Sequence, residues 1–143
     1  MRAVVQRVSR ASVEIAGAVV SRIGPGLVVL VGVTPDDGPR TAAPLARKVH
    51  ELRLFDTPDG ERSAADLDLE LLVVSQFTLY GDTRKGRRPS WLAAAPGPIA
   101  EPLVEAVVTA LRERGARVQT GRFGADMAIS LVNDGPVTLV LEV

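Results

Sequence analysis

Four groups of residues have the types and spacing to do chemistry. In "LLVVSQFTLY" the polar Ser75, Gln76 and Thr78 follow a run of Leu and Val. Read locally, this is a strand leaving the core with alternate side chains turning to solvent. Read functionally, it is a pocket floor whose hydroxyls and backbone N–H groups face a substrate carbonyl; spacing favours the first. "TRKGRRP" gathers Arg84, Lys85, Arg87 and Arg88 around one glycine directly after that segment. Arg and Lys are the usual contacts for phosphate, so a phosphate-bearing substrate is expected if the cluster is more than a solvated face. Near the C-terminal end, "SLVNDGPVTLVLEV" sets Asn133, Asp134, Gly135 and Pro136 between two strand-forming runs. A hairpin turn is the plain reading, because such clusters punctuate strands. The alternative is that this backbone is itself a working part. Finally, "GRFGADM" holds Phe123 and Met127 among glycines, as core residues or as pocket lining.

Other chemistries lack their parts. His50 is the only histidine and falls among Lys48, Glu51 and Arg53 in a helical segment, where a solvated side chain is expected and a His-based triad is not. No spacing of His and carboxylates matches a metal site. The glycines of "GVTPDDG" and "GRFGADM" have neither Walker spacing nor a convincing strand–GxGxxG–helix setting. No cofactor is expected. Trp91 is read as a packing residue rather than a base-stacking platform.

The elements that must hold these residues follow from periodicity. "AVVQRVSRASVEIAGAVVSRIG" alternates at strand intervals and turns at Ala16-Gly17, which predicts a hairpin. "GLVVLVGV" is apolar on both faces, as a central strand must be. Leu45, Val49 and Leu52 predict a helix over 41–54, with Pro44 tolerated near its start. "DTPDGERSAADLDLE" reads as turn-rich loop and "LLVVSQFTLY" as a buried strand. Ile99, Leu103, Val107 and Leu111 predict one buried helix face, with Gly115 as its cap. "ARVQTGRF", "MAISLVN" and "VTLVLEV" are strand-like. Seven or eight strands, often consecutive, and two helices predict an α+β protein with mostly antiparallel pairing, a curled barrel-like sheet and the two helices outside.

With 143 residues, one domain over 1–143 is expected, long enough to bury a core without staples. Seventeen basic and seventeen acidic residues cancel, so global charge argues for no polyanion partner and only a local patch could attract one. There is no cysteine, which excludes disulfides and thiolate metal sites. The start "MRAVVQRVSR" lacks the apolar stretch of a signal peptide, and no apolar run could cross a bilayer. A cytoplasmic protein with no membrane partner is expected.

Three segments together, "QRVSRASV", "LLVVSQFTLYGDTRKGRRPSW" and "QTGRFGADMAISLVNDGPVT", resemble the D-aminoacyl-tRNA deacylase family in order and spacing. The resemblance covers almost the whole chain, and the pairing of "SQFTL" with "NDGPVT" is its specific part. It departs at "ERSAADLDLE", where members usually carry a Met-Asn-Leu-type segment and a Gly pair.

The resemblance implies the fold of that family and hydrolysis of the ester joining a D-amino acid to the 3′ end of tRNA. It implies a homodimer whose sites form at the subunit interface, with a cis peptide between Gly135 and Pro136 entering the partner's pocket. A side chain of L configuration would meet that backbone wedge, while a D side chain would point to open space. Gly-tRNA, having nothing to exclude, would also be cleaved. Arg7, in "QRV", matches the position that steadies the wedge. Ser75, Gln76, Phe123 and Met127 would line the substrate site, with Phe123 on the terminal adenine. The attacking group is open between the Thr78 hydroxyl and a substrate-assisted route. In the second, the ribose 2′-OH helps while the Phe77 and Thr78 amides hold the oxyanion. Two other classes compete with this reading: a non-catalytic RNA-binding module and a small-metabolite hydrolase.

Overall fold

A computed structural model describes residues 1–143. The first hairpin forms from β1 (Arg2–Ile15) and β2 (Ala18–Ile23). Ala16 and Gly17 both have positive φ, 50° and 80°, the backbone that a two-residue turn needs to match the twist of its strands. β3 (Gly26–Gly32) pairs antiparallel with the first half of β1, and β2 takes the second half. The chain then leaves the sheet through α1 (Pro39–Glu51) and a small hairpin, β4 (Arg53–Thr57) with β5 (Gly60–Ser63). It returns as β6 (Glu70–Ser75), parallel to β3. A second crossover, α2 (Gly97–Glu113), leads to β7 (Arg117–Thr120), parallel to β6. β8 (Ala128–Glu142) closes the sheet by pairing antiparallel with β1. Antiparallel pairs dominate, but the two parallel ones at β3–β6–β7 decide where the loops collect.

Both faces of the central strands are buried, which explains their unbroken Val and Leu. Leu27, Val29 and Val31 of β3, with Leu71 and Val73 of β6, face the helices in a core that takes Leu45 and Val49 from α1 and Leu103, Val107 and Leu111 from α2. Val28, Leu72 and Val74 point the other way, into a smaller cluster with Val8, Ala11, Val13 and Ile23. The sheet therefore curls until its own first hairpin covers its back. β1 buries Ala3 and Val5 in the first cluster and Val8, Ala11 and Val13 in the second. Val8 turns away from Val5 by plain alternation, and Ala11 and Val13 stay on the side of Val8 because β1 carries one extra residue against β8 between Val8 and Arg10. This is the barrel-like α+β arrangement expected, with both helices outside. No helix is long and apolar enough to cross a membrane.

The helix after β3 starts at Pro39, whose missing N–H costs nothing in a first turn, and stops at Glu51. α2 ends as expected at Gly115 (φ 86°). The Gly115 N–H donates to the Arg112 carbonyl at 2.9 Å and the Ala116 N–H to that of Leu111 at 3.0 Å, so a left-handed glycine satisfies the last carbonyls.

Five local expectations are corrected. "DTPDGERS" is not plain loop: it folds back as the β4–β5 hairpin, too short and polar to announce itself. The strand "LLVVSQFTLY" stops at Ser75, and Phe77–Tyr80 form a 3-10 turn. Ile99 begins the apolar ladder of α2 but remains exposed, while Ala100 beside it takes the buried position in that turn. His50 is buried rather than solvated. Burial, and then the charge of Arg114, hold its pKa below the ordinary value. Finally, "NDGP" is no hairpin turn. The runs on either side are one strand, β8, and both pair with β1: Asn133 opposes Val8 and Thr138 opposes Gln6. The residues between them bulge out opposite Arg7 alone.

Candidate active site

β3 and β6 end at one level, and the edge strand β7 stops two residues short of it. Val31 of β3 is paired with Ser75, the last residue of β6, and Val73 with Thr120, the last of β7. The segments that leave these strands collect above that edge, where ligands of sheets with parallel strands commonly sit. The sequence-predicted residues Ser75, Gln76, Phe77, Phe123 and Met127 meet there. A cavity of about 360 Å³ is lined by Ser75, Phe77, Trp91, Ala95, Phe123 and Gly124, among others. Beside it a second hollow of about 260 Å³ takes Ser75, Gln76, Phe77, Asp126 and Met127. Met127 is held in place by a close approach to Gly121, where a Cβ would strike its Sδ.

The local backbone makes this edge chemically useful. Gln76 donates its N–H to the Val31 carbonyl at 2.7 Å, which ties the end of β6 to β3. Its backbone (φ −145°, ψ 78°) then breaks the strand into the 3-10 turn. The first N–H with an acceptor inside the turn is that of Leu79, bonded to the Gln76 carbonyl at 3.2 Å. The amides of Phe77 and Thr78 precede it and have no acceptor within the turn. Phe77 lines both cavities and Thr78 follows it just outside them, so two adjacent N–H groups stand together as an oxyanion requires.

The turn is held from outside by Arg2, which the sequence reading missed. Its Nη1 donates to the Leu79 carbonyl at 2.7 Å, its guanidinium lies 4.8 Å from the centre of the Tyr80 ring, and Glu142 pairs with it at 2.5 Å. Burial, then the charge of Asp37, raise the pKa of Tyr80, so the ring under Arg2 stays neutral. Thr78 is exposed, and its hydroxyl oxygen accepts a hydrogen bond from Gln76 Nε2. His50 lies in α1 among the core and lines neither cavity. The arrangement therefore offers the Thr78 hydroxyl no imidazole base.

Trp91 also went unrecognised as part of this site. Its indole covers Gly81, where a Cβ would stand 2.5 Å from the ring, and meets Phe77 edge-on at 5.5 Å. It packs, as expected, but one face remains open to the cavity. Its separation from Phe77 in sequence hides this. Only a lone exposed tryptophan next to the motif could have hinted at it.

The second predicted group gathers elsewhere. Arg7 Nε donates to the Asp134 carbonyl at 2.9 Å and its Nη1 to the Leu54 carbonyl, with Asp56 Oδ2 at 3.5 Å. Asn133 Nδ2 donates to the carbonyls of Arg7 at 2.9 Å and Val137 at 3.1 Å, closing the bulge at its base. Gly135 adopts φ 110°, and its bare α-carbon lies against the Arg7 guanidinium. Gly135 and Pro136 are both exposed. One expectation is corrected here: the chain contains no cis peptide bond, so Gly135–Pro136 is trans. Trans is the intrinsically preferred form of an X–Pro bond, and the anchors grip Asn133, Asp134 and Val137 rather than that bond.

The two groups do not meet within one chain. Arg7 lies in the row of Leu27, four residues along β3 from the Val31 row that holds Ser75, or about 13 Å. The bulge is also three strands across from β6, about 14 Å.

Known proteins resemble this chain along its whole length. A model of the D-Tyr-tRNA(Tyr) deacylase family matches residues 4–142. The D-aminoacyl-tRNA deacylase of Acidothermus cellulolyticus is 65% identical over 144 residues, covering 100% of this chain and 99% of its own. That of Kineococcus radiotolerans is 62% identical over 143 residues, covering 99% of each. A solved c-Myc DNA unwinding element binding protein superposes with a TM-score of 0.93 at 40% identity, over 100% of this chain and 99% of that one. A probable eukaryotic D-amino acid tRNA deacylase superposes with a TM-score of 0.87 at 17% identity, over 99% and 98%, and shares the fold.

Proposed function

The chain belongs to the D-Tyr-tRNA(Tyr) deacylase family, and from that premise we propose that it hydrolyses the ester between a D-amino acid and the 3′ end of tRNA in the cytoplasm, as a single domain over 1–143. The observation that carries this reading is the pair of amides of Phe77 and Thr78, set at the carboxyl end of β6 beside a cavity large enough for a terminal nucleoside. In the reaction a water oxygen bonds to the ester carbonyl carbon and the bond to the ribose oxygen breaks. The water proton passes to that leaving oxygen, giving the free amino acid and a tRNA with its terminal hydroxyl restored. The two amides bind the negative oxygen that forms between these steps. With no imidazole beside Thr78, proton transfer falls to the substrate's own ribose 2′-OH. An aminoacyl ester is labile enough that positioning and charge stabilisation suffice. Ser75, Gln76 and Met127 line the aminoacyl side, and Phe123 faces the adenine.

Selectivity in this reading requires a second copy of the chain, because the bulge and the cavity stand far apart in one. The exposed Gly135 and Pro136 of that copy, held out by Arg7, occupy the space an L side chain needs. We assign exclusion to the bulk of this backbone and give the peptide isomer no part in it. A thousandfold preference corresponds to about 4 kcal/mol, which a collision with anchored backbone supplies more readily than one apolar contact. Glycine offers nothing to exclude, so Gly-tRNA is a substrate too.

One experiment tests all of this: deacylation of D-Tyr-, L-Tyr- and Gly-tRNA side by side. Rapid loss of the D and glycyl esters with the L ester spared is expected. A glycyl ester as resistant as the L ester sinks the exclusion mechanism, and binding without turnover of any ester restores a plain nucleic-acid-binding reading.

A further inference from the structure

The segment after the 3-10 turn is a built tongue rather than loose loop. Asp82 and Ser90 close its base with reciprocal backbone hydrogen bonds of 2.8 and 2.9 Å. Its first cation is consumed internally. Arg84 donates through Nε and Nη2 to the two oxygens of Asp82, at 2.9 and 2.7 Å, and its backbone N–H adds a bond of 3.0 Å to the same carboxylate. That pairing pulls the Asp82 pKa down to about 2. The other three cations, Lys85, Arg87 and Arg88, are exposed and have no carboxylate within ion-pair distance. Both ends of the tongue are fixed to the cavity wall, since Trp91 follows Ser90 directly, covers Gly81 and touches Phe77.

In a chain of zero net charge, this places three uncompensated positive charges beside the mouth of the candidate active site. We propose that Lys85, Arg87 and Arg88 bind the phosphodiester backbone of the RNA strand whose 3′-terminal residue occupies the cavity lined by Phe77, Trp91 and Phe123. This rests on the reading of the chain as an enzyme acting on tRNA and adds a phosphate subsite to it. Arg84 is excluded from that role: its guanidinium is committed to Asp82 and stiffens the tongue that carries the others. Contacts to phosphate position a strand without reading its bases, so the subsite raises affinity for RNA of any sequence at that end. It therefore acts on KM rather than on the chemical step.

The test uses the full chain and the triple variant Lys85→Gln, Arg87→Gln, Arg88→Gln, with Arg40→Gln, Arg47→Gln on α1 as the control for charge removed elsewhere. Three measurements are made: binding of uncharged tRNA over a range of salt, hydrolysis of D-Tyr-tRNA, and hydrolysis of D-tyrosyl-adenosine, which has no phosphate. The triple variant is expected to bind uncharged tRNA about tenfold or more weakly at low salt. Its slope of log affinity against log salt falls by about two, since each phosphate neutralised on a single strand contributes about 0.7. KM for D-Tyr-tRNA rises with kcat unchanged, and turnover of the adenosine ester does not move. Replacing the three by Arg–Lys exchanges (Lys85→Arg, Arg87→Lys, Arg88→Lys) restores the salt slope. Unchanged tRNA affinity and salt slope in the triple variant overturn the subsite, as does an equal loss in the α1 control. If wild-type protein binds tRNA through the tongue yet cleaves no ester, the subsite stands and the enzymatic reading falls.

Discussion

The guanidinium of Arg7 fills the space where Gly135 would carry a side chain: a Cβ built on Gly135 overlaps Arg7 Nη2 and stands 3.0 Å from Cζ. The two residues come from strands at opposite ends of the sequence, and the bulge of β8 exists in its present shape because neither yields. Gly135 also holds φ 110°, a conformation that L side chains rarely adopt.

Gly135→Ala therefore suffers twice, from collision and from backbone strain of about 1–3 kcal/mol. A lower melting temperature is expected together with loss of the preference for D over L esters. A variant that melts and discriminates like the parent would show that the bulge has slack the geometry does not reveal.

Arg7→Lys should behave almost like Arg7→Ala. One guanidinium reaches both the Asp134 and the Leu54 carbonyls, and a single ammonium cannot span the two. The Leu54 carbonyl, part-buried, costs about 1–3 kcal/mol if left unsatisfied, whereas that of Asp134 is exposed and turns to water. The D/L selectivity ratio should collapse in both variants, while cleavage of Gly-tRNA, which needs no exclusion, falls less. Full selectivity in Arg7→Lys would remove Arg7 from the account.

Thr78 separates the two routes of attack. Thr78→Ala keeps the backbone amide and should retain activity within about tenfold, because the hydroxyl merely accepts a bond from Gln76. Thr78→Pro removes the N–H and also strains Phe77 before it, and should lose at least about 10²–10³ in kcat. A folded Thr78→Ala protein with almost no activity would return the threonine to the role of nucleophile.

Stability should fall on the acid side for two reasons of the same sign. Burial tends to raise the Asp37 pKa, but hydrogen bonds from the Met1 ammonium and from Thr34 outweigh it and bring it below 3.8. The unfolded chain then binds the proton first, so the stabilisation is complete above that value and is lost as pH falls through the folded pKa. His50, lowered chiefly by burial, adds the same dependence beginning near pH 6.5. Asp37→Asn should lose about 3 kcal/mol near neutrality, by leaving a buried ammonium unpaired, and flatten the denaturation profile below pH 4. An unchanged slope there, measured by urea melts across pH, would place the acid lability elsewhere.

Much of the architecture was readable from local pattern. Alternation in β1 and β2, the two-sided apolar runs of β3 and β6, and the i, i+4 ladder in α2 each follow from which faces must be buried, and burial is written residue by residue. The short segment "SQFTL" and the cluster "NDGP" were also visible, as polar and turn-forming residues where a strand alone would not want them. What those residues do was not local. Whether Gly135 and Pro136 turn the chain or bulge from it depends on which strand pairs with each flank, and both flanks chose β1. That Trp91 walls the cavity, that Arg2 clamps the 3-10 turn and that Arg84 is spent on Asp82 while its neighbours are free are all contacts that depend on the folded chain. The burial of His50 and Leu54's hold on Arg7 belong to the same class. Periodicity reports which side of an element meets the core; only three-dimensional packing decides which partner waits there.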